Sequence, residues 1–392
     1  MTQRLYYTDA YLTRFDATVV AQSADGTRVY LAETAFYPTS GGQLHDIGTL
    51  GGAAVVDVID EDDRIAHILR DPPAAGLPAP APAVIDWPRR FDHMQQHTGQ
   101  HLVSAVFEDL FGHKTVSVHF GEEYSTLDLA ADAVSRDQLL RAETRANEVV
   151  IENRPVTVTF EDAAAAIGLR KPADRAGTLR LVSIDGVDRS ACGGTHVRAT
   201  GEIGPILLRS TEKMKKTTRV EFVCGHRALR RARRDFESLV AVATGLSVSL
   251  DDAAASVAAQ SERLKDAETA RRRAEKTLAD YRARELYGMT TPNADGVRTV
   301  TIRAGYDTMD ELRTIALAVI SQPKVVVVAP LANPPSILYA ASEDSGVDAG
   351  KVLKPLLAEA GGRGGGSPRI AQGSVADIAA LKNLERLLDA SA

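Results

Sequence analysis

An α+β architecture built from several units is predicted, and three changes of pattern along the 392-residue chain predict it. Short alternating stretches broken by Asp-Gly and Gly-Gly turns come first, helix-period runs mixed with strand-like segments follow, and an Ala-, Arg- and Glu-rich stretch precedes a final strand–helix–strand pattern. The length exceeds one ordinary core, since domains run to about 100–200 residues. With 44% hydrophobic and 25% charged residues, the composition is that of a globular protein, neither fibrous nor disordered.

Residues 1–88 supply the first pattern. Thr27–Ala32 and Ala53–Ile59 alternate like half-buried strands, which predicts a small β-barrel, or else a twisted antiparallel sheet. The Pro- and Ala-rich segment Asp71–Pro82 marks a loop or boundary. Residues 89–226 are expected to form an α+β core. Asp92 is a candidate N-cap for a helix through Phe111, with Leu102, Val103, Val106 and Leu110 on its apolar face. Val116–Leu129 has the pattern of a hairpin, Arg136–Asn153 that of a helix, and Leu179–Cys224 that of strands and loops. Residues 227–287 predict a helical hairpin or short coiled coil, in which Glu262–Arg284 is a long solvated helix. Residues 288–392 predict an α/β domain. Val297–Ile302 and a buried Val325–Ala329 are its strands, Met309–Ile320 a helix, Gly361–Pro368 a glycine cluster and Val375–Leu388 a closing helix.

No apolar run approaches the roughly 18 residues that span a bilayer, and the N-terminus lacks a signal-peptide pattern, so no membrane role and a cytoplasmic address are expected. Two cysteines, Cys192 and Cys224, build no disulfide framework, and a reducing compartment suits a thiol kept free for metal. The net charge of −6 gives no global case for nucleic-acid binding, but the charge is uneven. Arg209–Arg234 holds ten Lys and Arg against two Glu, including Lys213, Lys215, Lys216, Arg219 and Arg230-Arg-Ala-Arg-Arg234. Such a run is either a solvated helix face or a phosphate-binding surface.

The chemistry gathers in two motifs. In His97-Thr-Gly-Gln-His101 the histidines stand at i and i+4, so both imidazoles share one helix face and can reach one ion. Cys192-Gly-Gly-Thr-His196 repeats the spacing across two glycines, which favour a loop that brings backbone close to a neighbour. Each motif alone has an ordinary explanation, a polar helix face or a packed thiol. Together they supply the N and S donors that zinc prefers, from His97, His101, Cys192 and His196. Four protein ligands describe a closed structural site, so a catalytic role requires a loosely held ligand, an expanded coordination number or an ion that only organises the pocket. A zincin protease is excluded, because Thr98 stands where its glutamate base belongs.

These paired motifs resemble the zinc motifs of the alanyl-tRNA synthetase editing domain and its free-standing relatives. Thr34-Ala-Phe-Tyr-Pro-Thr-Ser-Gly-Gly-Gln43 resembles the glycine motif of that family's preceding barrel, and Gly201-Glu-Ile-Gly-Pro205 its segment after the second zinc motif. Gly361–Gln372 is similar to the signature of the DHHA1 domain. The resemblance runs through nearly the whole chain in the family's order. It implies a zinc-containing editing core, a DHHA1-like C-terminal domain and a hydrolase that deacylates alanine-specific tRNA mischarged with serine or glycine. Because the chain begins at the barrel, with no room for an aminoacylation core, it is expected to act in trans on tRNA made elsewhere. A phosphodiesterase of the DHH type would need an Asp-His-His motif, whereas Asp92-His93 is followed by Met94.

The resemblance also places further residues. Thr115 and Ser117 fall where the family reads the amino-acid side chain, with Val116 and Val118 as alternatives. A hydroxyl reader would favour serine over alanine, since alanine leaves the site's polar groups unpaired. Gln100 and Asp92 are candidates for orienting an imidazole, with an N-cap role as the alternative for Asp92. Gly41 and Gly42 either wall the active site or form a tight turn. Lys213, Lys215, Lys216 and Arg219 are expected to meet tRNA phosphates, and Arg363 with Gly364, Gly365 and Gly366 to form an anion-binding nest, or else a flexible loop. A non-catalytic tRNA-binding protein with structural zinc is the competing reading. The helical or C-terminal region is the candidate surface for a homodimer.

Overall fold

The computed structural model describes residues 1–74, 76–171, 177–303 and 308–390. It divides into two compact units, Met1–Val242 and Ala243–Ala392. None of the described helices is long and apolar enough to cross a membrane.

The first unit begins with nine strands: β1 (Gln3–Arg4), β2 (Arg14–Ala17), β3 (Val19–Gln22), β4 (Arg28–Leu31), β5 (Glu33–Thr34), β6 (Gly48–Leu50), β7 (Ala53–Glu61), β8 (Arg64–Leu69) and β9 (Ala81–Ile85). β1 and β5 form a short parallel pair, and the other seven join in the order β2-β9-β6-β7-β8-β4-β3, antiparallel throughout. The expected barrel does not close: β2 and β3 are the two edges of an open sheet and do not pair with each other. Of the two expectations, the antiparallel sheet is the one that forms. Val29, Leu31, Phe36, Leu50, Val55, Val58 and Ile65 share one core, and Val29, Leu31, Val55 and Val58 come from the alternating stretches Thr27–Ala32 and Ala53–Ile59. Of the loop Asp71–Pro82, Ala75 lies outside the described residues.

Helix α1 (Trp87–Phe111) starts earlier than Asp92. Asp86 is the N-cap, its side chain accepting from the Arg89 amide, Pro88 stands in the first turn, and Gly112 ends the helix at φ +70°. Every residue from His93 to Phe107 is buried, so α1 is the central rod of the unit. Arg90 fastens it to the preceding sheet: the fully buried guanidinium donates to Asp46 and to the carbonyls of Ala10 and Ala35.

Around α1 lie two further sheets. β10 (Thr115–Phe120) and β11 (Ser125–Leu129) form the expected hairpin, and α2 (Arg136–Glu152) follows behind a capping box at Ser135 and Gln138. β12 (Val156–Asp162), β13 (Thr178–Ile184) and β14 (Asp188–Ala191) make a three-stranded antiparallel sheet. β15 (Ile206–Lys213) and β16 (Thr218–Cys224) complete the order β10-β11-β16-β15. Met94, Leu102, Phe107, Leu127, Val149 and Phe222 share one core between helix and sheets. α3 (Gly225–Leu246) runs on from β16.

In the second unit α4 (Ala253–Met289) is largely solvated along its length and buries Ala279 and Ala283 near its end. β17 (Arg298–Thr301), α5 (Met309–Val319), β18 (Val325–Leu331), β19 (Ser336–Ala341), α6 (Ala349–Glu359), β20 (Arg363–Gly366), β21 (Ile370–Ser374) and α7 (Ile378–Ala390) follow. The sheet order is β17-β18-β19-β21-β20, parallel between β17 and β18 and antiparallel elsewhere. β18 is buried on both faces, α4 and α5 contributing to one core and α6 and α7 to the other.

Candidate metal centre

His97 and His101 project from the buried middle of α1, and the loop after β14 brings Cys192 and His196 to the same point. One ligand atom from each of the four lies within 4.8 Å of the others. The three imidazole rings sit 4.5, 4.9 and 5.3 Å apart, and the Cys192 Sγ is 3.3 Å from Nε2 of both His97 and His196. A tetrahedron with bonds of about 2.0–2.3 Å sets its donors roughly 3.3–3.8 Å apart, a range the two sulfur–nitrogen distances meet, so the cluster could hold one zinc-sized ion.

The orientation of the rings supports that fit. Each Nδ1 faces an oxygen: Gln43 Oε1 at 2.8 Å for His97, Asp188 Oδ2 at 2.7 Å for His101, Thr98 Oγ1 at 3.1 Å for His196. With the proton held at Nδ1, each ring turns its Nε2 lone pair to the cluster, as metal-binding histidines do. The orienting groups are themselves fixed. Gln43 Nε2 donates to Thr195 Oγ1, and its Oε1 also accepts from the Thr195 amide. Asp188 is ion-paired with Arg170 and accepts from Ser190.

The electrostatics of the cluster follow from this packing. Burial would raise the Cys192 thiol, but the charges of His97 and His196 and hydrogen bonds from His101 and His196 hold it well below its ordinary value. Burial opposes protonation of His101, yet the bonds to Asp188 and Cys192 push it up to about 9. Burial pushes His196 down to about 3. Burial would also raise Asp188, but its hydrogen bond to His101 and the charges of His101 and Arg170 keep it below the usual carboxylate range. A thiol held this low gives up its proton readily, as metal binding requires of a cysteine ligand.

Close approach sets one glycine of the Cys192–His196 loop and one of the turn before Gln43. A Cβ on Gly194 would stand 2.2 Å from Cε1 of His97, and one on Gly42, at φ +84°, would meet the Phe120 ring at 3.3 Å. Phe120 in turn packs against His97 at 5.1 Å. Gly41 is also left-handed, at φ +55°, and the turn it makes carries Gln43 to the histidine.

Other expected site residues stand elsewhere. Among the described residues Gln100 makes no hydrogen bond to an imidazole; its Nε2 donates to Ser104 Oγ, which also accepts from Thr115 Oγ1, so the two expected site residues meet through Ser104. Asp92 is neither N-cap nor imidazole partner, because its carboxylate is taken bidentately by Arg227 at the start of α3. Ser117 is exposed and donates to Asp128, and a bulge separates it from Thr115 on β10. Lys213, Lys215 and Lys216 are exposed at the β15–β16 hairpin, whereas Arg219 is held by Asp128 at 2.8 and 3.0 Å and its charge is neutralised. Gly364–Gly366 form no nest. They run with Arg363 as edge strand β20 against β21, where a Cβ on Gly364 or Gly366 would collide with β21 backbone at 2.2–2.4 Å.

Gln43 and Asp188 were missed by sequence reasoning, and Thr98 was noticed only as a missing glutamate. Gln43 closes the glycine motif and Thr98 lies between the two helical ligands, so position inside a motif was the available signal. Asp188, four residues before Cys192, offered none.

Known proteins match the chain along most of its length. Residues 179–221 match the threonyl and alanyl tRNA synthetase second additional domain, and residues 297–392 match the DHHA1 domain. The alanyl-tRNA editing protein AlaX-L of Pyrococcus horikoshii is 31% identical over 96% of this chain and 95% of its own length. The alanyl-tRNA editing protein Aarsd1-A of Xenopus laevis is 38% identical over 55% of this chain and 53% of its own. The alanine–tRNA ligase of Natronomonas pharaonis is 32% identical over the whole chain, which spans 43% of that enzyme. A match to AlaX-L along nearly the full length of both chains, with both domains in place, makes this chain a member of the alanyl-tRNA editing protein family, in the form that carries a C-terminal DHHA1 domain.

Proposed function

We propose that the chain is a trans-acting aminoacyl-tRNA deacylase that hydrolyses the ester of seryl- or glycyl-tRNA specific for alanine at a zinc centre. The observation that carries this reading is the four-donor cluster in which every imidazole is aimed by its own Nδ1 acceptor. His97, His101, Cys192 and His196 would hold zinc, and Gln43, Thr98 and Asp188 orient the rings. When bound, zinc supplies a Lewis acid beside the ester carbonyl.

The chain's own groups then bind and orient. Thr115, linked through Ser104 to Gln100 one residue before His101, is the better placed hydroxyl to read the substrate side chain; Ser117 is occupied by Asp128. The backbone of Gly41 and Gly42 walls the centre, Gly42 lying close to Phe120. Lys213, Lys215 and Lys216 meet tRNA phosphates, and Arg363 on β20 provides a further contact along Gly364–Gly366. We place the working units at residues 1–88, 89–226, 227–287 and 288–392, in a protein acting in the cytoplasm on tRNA charged by another enzyme.

A second reading has one observation in its favour: four protein donors form a complete set, as in structural zinc sites. Turnover separates the two. Incubated with a large excess of seryl-tRNA for alanine, the protein is expected to release many equivalents of serine. Release no greater than background, with tRNA binding intact, would leave a tRNA-binding protein with structural zinc.

A further inference from the structure

Of the four candidate donors, Cys192 alone has no side-chain oxygen partner among the described residues. Each imidazole is turned by its own Nδ1 acceptor, whereas the direction of a thiol follows from the backbone that carries it. Cys192 stands one residue past the end of β14, and Gly193 and Gly194 follow it, so the strand ends where the most flexible residues begin. The Gly194 amide reaches the sulfur at 3.4 Å but belongs to the same loop. What holds the cysteine in place must come from outside it.

Arg180 on β13 does so with backbone and side chain together. Its carbonyl accepts from the Cys192 amide at 3.1 Å, which extends the β13–β14 ladder by one rung. Its Nη1 donates to the Cys192 carbonyl at 2.6 Å. Both polar backbone groups of the cysteine are thereby bound by one residue, and a carbonyl beyond the strand gains a charged donor. Strand alternation gives the side chain its reach: Leu179 and Leu181 are buried, and Arg180 belongs to the opposite face of the sheet.

The guanidinium is anchored at a second point. Nε donates to the Tyr7 carbonyl at 3.0 Å, and the group lies over the Tyr7 ring, 5.5 Å from its centroid. Tyr7 Oη accepts from Arg4 at 3.2 Å, and Arg4 is bonded bidentately to Asp60 on β7, both contacts at 2.8 Å. A line of contacts, Asp60–Arg4–Tyr7–Arg180, thus runs from the seven-stranded sheet to the thiol loop within the unit Met1–Val242.

We infer that Arg180 is a positioning residue that fixes Cys192 as a metal donor by binding its amide and its carbonyl. A planar fork suits two carbonyls held by different parts of the chain, whereas a lysine ammonium is a point charge on a flexible stem. The inference rests on the proposed metal centre.

The full-length protein is stripped with a chelator, and wild type, Arg180→Lys and Arg180→Met are loaded with zinc or with cobalt. Zinc affinity, read by competition with a chromogenic chelator, is expected to fall about tenfold in Arg180→Lys and up to about 100-fold in Arg180→Met. Cobalt reports the thiolate itself. The sulfur-to-cobalt charge-transfer band, per bound cobalt, should weaken in the same order as Cys192 drifts from the ion. Urea denaturation of each stripped variant shows whether it is folded, and Arg180→Lys, which keeps the charge, carries the test if Arg180→Met does not fold. Unchanged affinity and an unchanged band in a folded variant overturn the inference and leave the metal centre standing. Weaker binding with an unchanged band is the mark of general loosening and overturns it too. A wild type that binds neither metal removes the metal centre, and the inference with it.

Discussion

Removing the Asp188 carboxylate leaves the Nδ1–H of His101 without its acceptor and Arg170 without its ion pair. Asp188→Ala is therefore expected to weaken zinc binding about 10- to 100-fold, as loss of an orienting partner does. Gln43→Ala should do the same through His97, and competition with a chromogenic chelator measures both. Unchanged affinity in both variants would show that the imidazoles are aimed by packing alone. Cys192→Ala, which removes a donor, should lose both zinc and ester hydrolysis. The cluster of four residues was legible in the sequence because each pair stands four residues apart in a chain with two cysteines. Gln43 and Asp188 were not, since they reach their histidines across 54 and 87 residues, and only the folded sheets bring them there.

At the scale of elements, α1 and its neighbours leave no room to spare. A Cβ on Gly99 would lie 2.3 Å from the Cys224 Sγ on β16, so Gly99→Ala should cost about 1–3 kcal/mol by urea denaturation. Cys224→Ala in the same chain should recover part of that loss; no recovery would place the strain elsewhere. Strand β8 carries a second constraint. His67 is fully buried, with ring nitrogens bonded to Thr34 and the Val29 carbonyl, and burial pushes it down to about 4. The native state keeps it neutral while the unfolded chain takes up a proton near 6.5, so stability falls as pH drops from about 6.5 towards 4. His93 behaves alike. The urea midpoint of His67→Asn should fall less over that interval than that of the wild type. Strand alternation and the middle of α1 were legible from periodicity. The start of α1 was not, because Trp87-Pro88-Arg89-Arg90 shows no apolar stripe, and the glycine cluster read as an anion nest when its glycines serve close strand packing.

For the whole molecule, the four candidate metal donors lie in the unit Met1–Val242 and the DHHA1 match lies in the unit Ala243–Ala392. The net charge of −6 hides the exposed lysines of the β15–β16 hairpin. If Lys215 and Lys216 each meet a phosphate, changing both to Gln should flatten the salt dependence of tRNA binding by about one to two units of slope and leave zinc content unchanged. Composition could not reveal that Arg219 is neutralised by Asp128, a pairing across two strands. The central claim is that the ester is cut at the cluster of His97, His101, Cys192 and His196. Its most direct test is to strip the protein with a chelator, restore zinc stepwise and follow serine release from seryl-tRNA. Activity should rise in proportion to bound zinc and level off at a single equivalent per chain. Full activity in the stripped protein would contradict the account.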